Sequence, residues 1–96
     1  KVRAETYSEN ILFGKSRNIE TPKLFRSFKK LSVNSISIEL IYLSTGLIDF
    51  YILDHDDYEH NQDCILIAKE AGIIIDHVDN YLILGNENSL KSLKKD

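Results

Sequence analysis

Apolar positions in this chain fall into short blocks set off by polar or glycine punctuation, and the spacing within the blocks switches between strand and helix periods. Asn10 to Phe13, closed by Gly14, reads as a strand, and Lys15 to Glu20 as the polar loop behind it. Thr21-Pro22 predicts a helix start, since Thr caps free N–H groups and Pro suits the first turn. Leu24, Phe25, Phe28 and Leu31 follow at helical spacing, with Lys29 and Lys30 at the negative end of the helix dipole.

Ser35 to Leu43 fits two periods: Ile36, Ile38 and Leu40 alternate as in a strand, whereas Ile36, Leu40 and Leu43 share a helical face. Leu47 to Leu53, rich in aromatic and branched residues, predicts a strand, and the acidic stretch Asp54 to Asp63 a loop. Cys64, Ile67, Ala68 and Ala71 then mark one face of a helix stopped by Gly72, and Ile73 to Ile75 begins a buried strand. Asp79-Asn80 makes a turn into the strand Tyr81 to Leu84. Asn88 or Ser89 caps a short terminal helix carrying Leu90 and Leu93. Strands alternating with helices give an α/β class.

Length adds that residues 1–96 form a single small domain with one core and little stability in reserve. A chain that starts at Lys1 and contains no Met reads as a piece of a longer product. The net charge of -3, with Lys and Arg dispersed apart from Lys29-Lys30 and the Lys91 to Lys95 tail, argues against nucleic acid as a polymeric partner. No apolar run has the length of a membrane span, so no membrane is expected. The single Cys64 allows no internal disulfide and suits a reducing, cytoplasmic setting, where it reads as a small buried hydrophobe.

Chemistry concentrates in Asp54, His55, Asp56, Asp57, Glu59, His60 and Asp63. Hard cations want several carboxylate oxygens, but an EF-hand starting at Asp54 would place Glu59 at the obligatory Gly and Ile65 at the bidentate acid. Zinc on His55 and His60 lacks a dependable third ligand. On these residues alone the stretch is a solvated acidic loop.

One longer pattern runs through the middle of the chain. Asn34-Ser35, Ser44-Thr45-Gly46, Asp49, Glu59-His60 and Glu70-Ala71-Gly72-Ile73 fall, without a gap, on the punctuation of another known sequence pattern. By these marks Val33 to Gly72 resembles the C-terminal half of the inositol monophosphatase and bisphosphate nucleotidase superfamily, which writes Gly-Ser/Thr, Ala-x-Gly, Asp, Trp-Asp and Glu-Ala-Gly-Gly. The resemblance implies a helix after Ser35 ended near Gly46, and the C-terminal α/β subdomain of a layered fold, its sheet flanked by helices. It also implies phosphate held by Asn34 and Ser35 at a helix start, and a Mg²⁺ site completed by His60, with Asp63 one helical turn on. Asp49 and Glu70 match structural positions.

This chain departs from the family at four of those marks, with Asn34 for Gly, Glu59 for Trp, His60 for the metal-binding Asp and Ile73 for Gly. The family's remaining metal ligands, a Glu and an Asp-Pro-x-Asp-Gly motif, belong to an N-terminal half, and the sole proline, Pro22, is in no such setting. The resemblance therefore implies the C-terminal part of a divergent Mg²⁺-dependent phosphomonoesterase, inactive alone, that acts on a small phosphomonoester once its other half is supplied. The alternative is a catalytically dead relative serving as a binding module or forming a homodimer. A third reading is an unrelated α/β domain whose spacing imitates the family, in which the Ser35 and Cys64 segments would not converge on one pocket.

Overall fold

Most apolar blocks sit in the element their spacing predicts, and together they build a five-stranded mixed sheet with helices on both faces; the strand expected to be buried from Ile73 is instead the sheet's edge, with Ile74 exposed. The computed structural model describes residues 11–94. Strands β1 (Leu12–Lys15), β2 (Lys29–Lys30) and β3 (Phe50–Asp54) run parallel. β4 (Ile74–Val78) and β5 (Tyr81–Gly85) form a hairpin antiparallel to β3, giving the order β2-β1-β3-β5-β4. Between them lie helices α1 (Ile36–Thr45), α2 (His55–His60) and α3 (Gln62–Glu70), and α4 (Glu87–Lys94) closes the described chain.

Alternation along the strands sends side chains to two separate cores. On one face Tyr51, Leu53, Leu82 and Leu84 pack with Leu40 and Leu43 of α1 and Ile65 and Ala68 of α3. On the other, Phe13, Phe50, Ile52 and Ile83 pack with Phe25 and with Leu90 of α4. Phe25 is fully buried, with ring centroids 5.4 Å from Phe13, 5.4 Å from Phe50 and 5.7 Å from Phe28. Each such aromatic pair adds about 0.5–1.5 kcal/mol beyond burial.

A further departure is the helix predicted from Thr21-Pro22. Only a single 3-10 turn, Lys23–Phe25, forms there, and the chain then extends into β2. Lys29 N–H donates to Ile11 O at 3.1 Å and Leu31 N–H to Phe13 O at 2.9 Å, so sheet pairing with β1 takes the groups a helix would use. The apparent helical stripe is split: Phe25 and Phe28 join one core, Leu31 the other, and Leu24 is exposed. Tertiary pairing overrides a local pattern of this length.

The stretch Asp54 to Asp63 corrects another expectation, because its acidic residues are helical. Asp54 is the N-cap of α2, its carboxylate accepting from Asp57 N–H at 2.8 Å, and Asp56 and Asp57 lie in the first turn, where the dipole favours them. Asn10, the expected first residue of β1, lies outside the described residues, as does Lys95 of the basic tail.

The choice between strand and helix at Ser35 to Leu43 resolves as helix. Ser35 is an extended N-cap whose hydroxyl accepts from Ile38 N–H, and Gly46, at φ 87, is the left-handed C-cap that glycine adopts at least cost. Asp49 then fixes the corner into β3: its carboxylate accepts from Leu12 N–H at 3.1 Å while its own N–H donates to Leu12 O at 2.8 Å.

Candidate functional site

The connection leaving β1 places β2 on one side of it, and the next connection, from β2 through α1, crosses back to place β3 on the other, so the carboxyl end of β1 lies where the sheet order reverses. Open α/β sheets bind ligands at such points, because the departing loops cannot close over the strand ends. Here that opening is a cavity of about 470 Å³, within the size range of small-molecule sites.

Its wall is built from three consecutive strand exits. Lys15 ends β1 and Ser16, Arg17 and Asn18 follow it, Lys30 ends β2 with Ser32 beyond, and Asp57 comes from α2 behind β3. The start of α1 supplies Asn34, Ser35 and Ile36, while Ser16, Glu39 and Tyr51 are the buried members of the wall. Ile38 N–H is satisfied by the Ser35 hydroxyl at 3.3 Å and Glu39 N–H by Ser35 O at 2.9 Å. The N–H groups of Ile36 and Ser37 have no hydrogen-bond partner among the described residues. Such free donors, at the positive end of a ten-residue helix, attract anions.

Asn34 takes a positive φ of 58. This left-handed geometry is easiest for glycine and next easiest for asparagine.

Three cations border the cavity. Lys15 Nζ donates to the carbonyls of Ile19 at 2.7 Å and Ser16 at 3.3 Å. Neither it nor Arg17 nor Lys30 forms a salt bridge among the described residues, where Lys91 with Glu87 is the ion pair observed. Ser16 lies just inside, 1 % exposed, and its hydroxyl has no hydrogen-bond partner among the described residues. Leaving a hydroxyl buried and unpaired costs about 1–3 kcal/mol.

Across the rim, Asn18 Nδ2 donates to Asp57 Oδ2 at 3.2 Å, tying the β1 loop to α2. Below, Glu39 accepts from Tyr51 Oη at 2.8 Å through Oε1 and from Val33 N–H at 2.8 Å through Oε2. This carboxylate thereby ties the loop before α1 to β3. Burial pushes the Tyr51 phenol far above its ordinary value, and the hydrogen bond and charge of Glu39, then the charge of Asp57, push it further.

Of the four residues singled out from sequence, Ser35 and Asn34 line this cavity and His60 and Asp63 do not. His60 closes α2, exposed, with Nδ1 2.7 Å from Asp56 O, and Asp63 is exposed in the first turn of α3. Among the described residues no group of three or more His, Cys, Asp or Glu side chains is placed to hold a metal ion. Helix α3 packs beside α1, with the half-buried Cys64 Sγ 3.6 Å from Ser37 Oγ, but contributes no residue to the cavity, so the Ser35 and Cys64 segments do not converge on one pocket, the arrangement expected of an α/β domain whose spacing only imitates the family.

Sequence reasoning missed Lys15, Ser16, Arg17, Lys30, Glu39 and Tyr51. One signal was present: Glu39 is a lone acid inside the apolar run Ile36 to Leu43, which a core helix carries only when the carboxylate has buried partners. No protein-family model matches the chain, and no curated protein or solved structure matches it either. Among the described residues no helix is long and apolar enough to cross a membrane.

Proposed function

We propose that this chain binds the phosphoryl group of a small phosphomonoester at the carboxyl ends of β1, β2 and β3. The observation that carries this reading is the meeting of the α1 N-terminus, the Lys15, Arg17 and Lys30 cations and the unpaired buried Ser16 hydroxyl on one cavity. Helix donors and cations suit a phosphate dianion, and the unpaired Ser16 hydroxyl stands just behind the wall, where a small local shift would bring it to the ligand.

The resemblance of Val33 to Gly72 to inositol monophosphatase-type enzymes points to the same ligand class, through Asn34 and Ser35. It extends no further than binding here: His60 and Asp63 stand outside the cavity, and metal-assisted hydrolysis needs carboxylates gathered around the phosphate. A phosphomonoester-binding module is therefore the function this geometry supports best, with hydrolysis reserved for an assembly in which another segment supplies the metal cage.

Calorimetric titration of the chain with inorganic phosphate and ethyl phosphate tests it. Both are expected to bind, and Lys30→Ala or Arg17→Ala to weaken them about tenfold, as for loss of one charge-assisted hydrogen bond. No binding at millimolar phosphate, or binding indifferent to both substitutions, overturns the reading.

A further inference from the structure

The cavity has two electrical poles. Arg17 and Lys30 are exposed at its rim, whereas Glu39 is 3 % exposed in its interior. Both donors to Glu39, the Tyr51 hydroxyl and the Val33 amide, are neutral, so they satisfy its oxygens without neutralising its charge. Among the described residues no Lys, Arg or His pairs with it. Buried carboxylates are ordinarily matched by a cation, because desolvation penalises an uncompensated charge heavily. Glu39 lines the cavity while Tyr51, bonded to it, belongs to the core behind, so the cavity is the side from which a cation can reach this carboxylate.

The geometry points to a zwitterionic ligand: a phosphomonoester whose other end carries an ammonium group, with phosphate at the rim cations and the α1 N-terminus and ammonium on Glu39. This inference rests on the phosphate reading of the cavity. A carboxylate with two neutral donors retains acceptor capacity, and an ammonium both donates to it and cancels its charge, where a hydroxyl would only donate. Asp57 is the other acid on the wall, but it is only half-buried, so solvent screens its charge and it asks less of a ligand. A volume of about 470 Å³ accommodates a phosphate and a short amine arm together.

The test is calorimetric titration of the full chain with inorganic phosphate, ethyl phosphate, hydroxyethyl phosphate and aminoethyl phosphate. Aminoethyl phosphate is expected to bind about tenfold tighter than the ethyl and hydroxyethyl esters, the effect of one hydrogen bond between charged partners. Glu39→Gln is expected to erase that preference while leaving inorganic phosphate bound at least as tightly, since it removes a negative charge from the cavity. Equal binding of the ethyl and aminoethyl esters by the unaltered chain overturns the inference and leaves phosphate binding intact. Tightest binding of the hydroxyethyl ester overturns it in favour of a neutral donor. Failure of inorganic phosphate to bind removes both readings together. If Glu39→Gln does not fold, the ester series on the unaltered chain decides alone.

Discussion

The hydroxyl of Tyr51 donates to Glu39 Oε1 at 2.8 Å, and this single bond joins the centre of β3 to the first turns of α1 inside the protein. Tyr51→Phe deletes the donor and leaves a buried carboxylate oxygen unsatisfied. A loss of about 1–3 kcal/mol is expected, read as a lowered denaturant midpoint with an unchanged m-value.

Alkaline pH acts on the same residue. Tyr51 has its folded pKa raised above the ordinary 10.0 by burial and then by Glu39, and Tyr81 is raised in the same direction by burial and then by Asp79. Below pH 10 both states keep the phenol protons and no stability depends on them; above it the unfolded chain releases protons that the folded chain retains. Stability therefore falls as pH rises past 10, by about 1.4 kcal/mol per pH unit for Tyr51. Unfolding midpoints measured across this range should show the slope, and Tyr51→Phe should remove most of it.

Gly14 at the end of β1 tests how tightly the cavity wall is built. A Cβ there would stand 2.8 Å from Tyr51 Cδ1 and 2.9 Å from Cε1, closer than real contacts allow, and the fully buried ring has little freedom to move. Gly14→Ala should cost about 1–3 kcal/mol, the usual penalty of overpacking. Thermal unfolding checks this, and phosphate affinity should fall with it, because Lys15 and Ser16 come directly after Gly14 in the chain.

Ser16→Ala should separate stability from binding. Removing a buried hydroxyl that has no partner should leave the melting temperature unchanged or raise stability by about 1 kcal/mol, while phosphate binding weakens. Paired thermal and calorimetric measurements on one preparation decide it; a destabilised variant with unchanged affinity would show the hydroxyl to be structural.

How far the sequence foretold the structure depended on whether a segment's partners lie near it in the chain. The hairpin was legible because Asp79-Asn80 sits between two apolar runs, and Asp79 indeed takes the positive φ of 51 that a tight turn favours. Helix α1 was legible only through the family resemblance, which puts a helix after Ser35 and its end near Gly46, whereas its own periodicity leaned towards a strand. The segment Thr21 to Leu31 was misread because its deciding partners are remote: Ile11 and Phe13 offer carbonyls that no local spacing reveals. Helix α2 was misread for the opposite reason, since its signal is capping by Asp54 and first-turn acids rather than apolar spacing. At the site, Ser35 and Asn34 came from a local motif, whereas Lys15, Lys30 and Tyr51 meet only through strand order.

The two halves of the sheet also differ in how their ends are brought together. Val78 and Tyr81 pair across a two-residue turn, while β1 and β3 join groups such as Leu12 and Asp49, 37 residues apart. Chain closure over so long a loop is slower and entropically dearer than closing a hairpin, so β4 and β5 should gain structure early and β1 should dock late. Because the cavity is assembled from the segments that leave β1, β2 and β3, ligand competence should be the last property this chain acquires on folding.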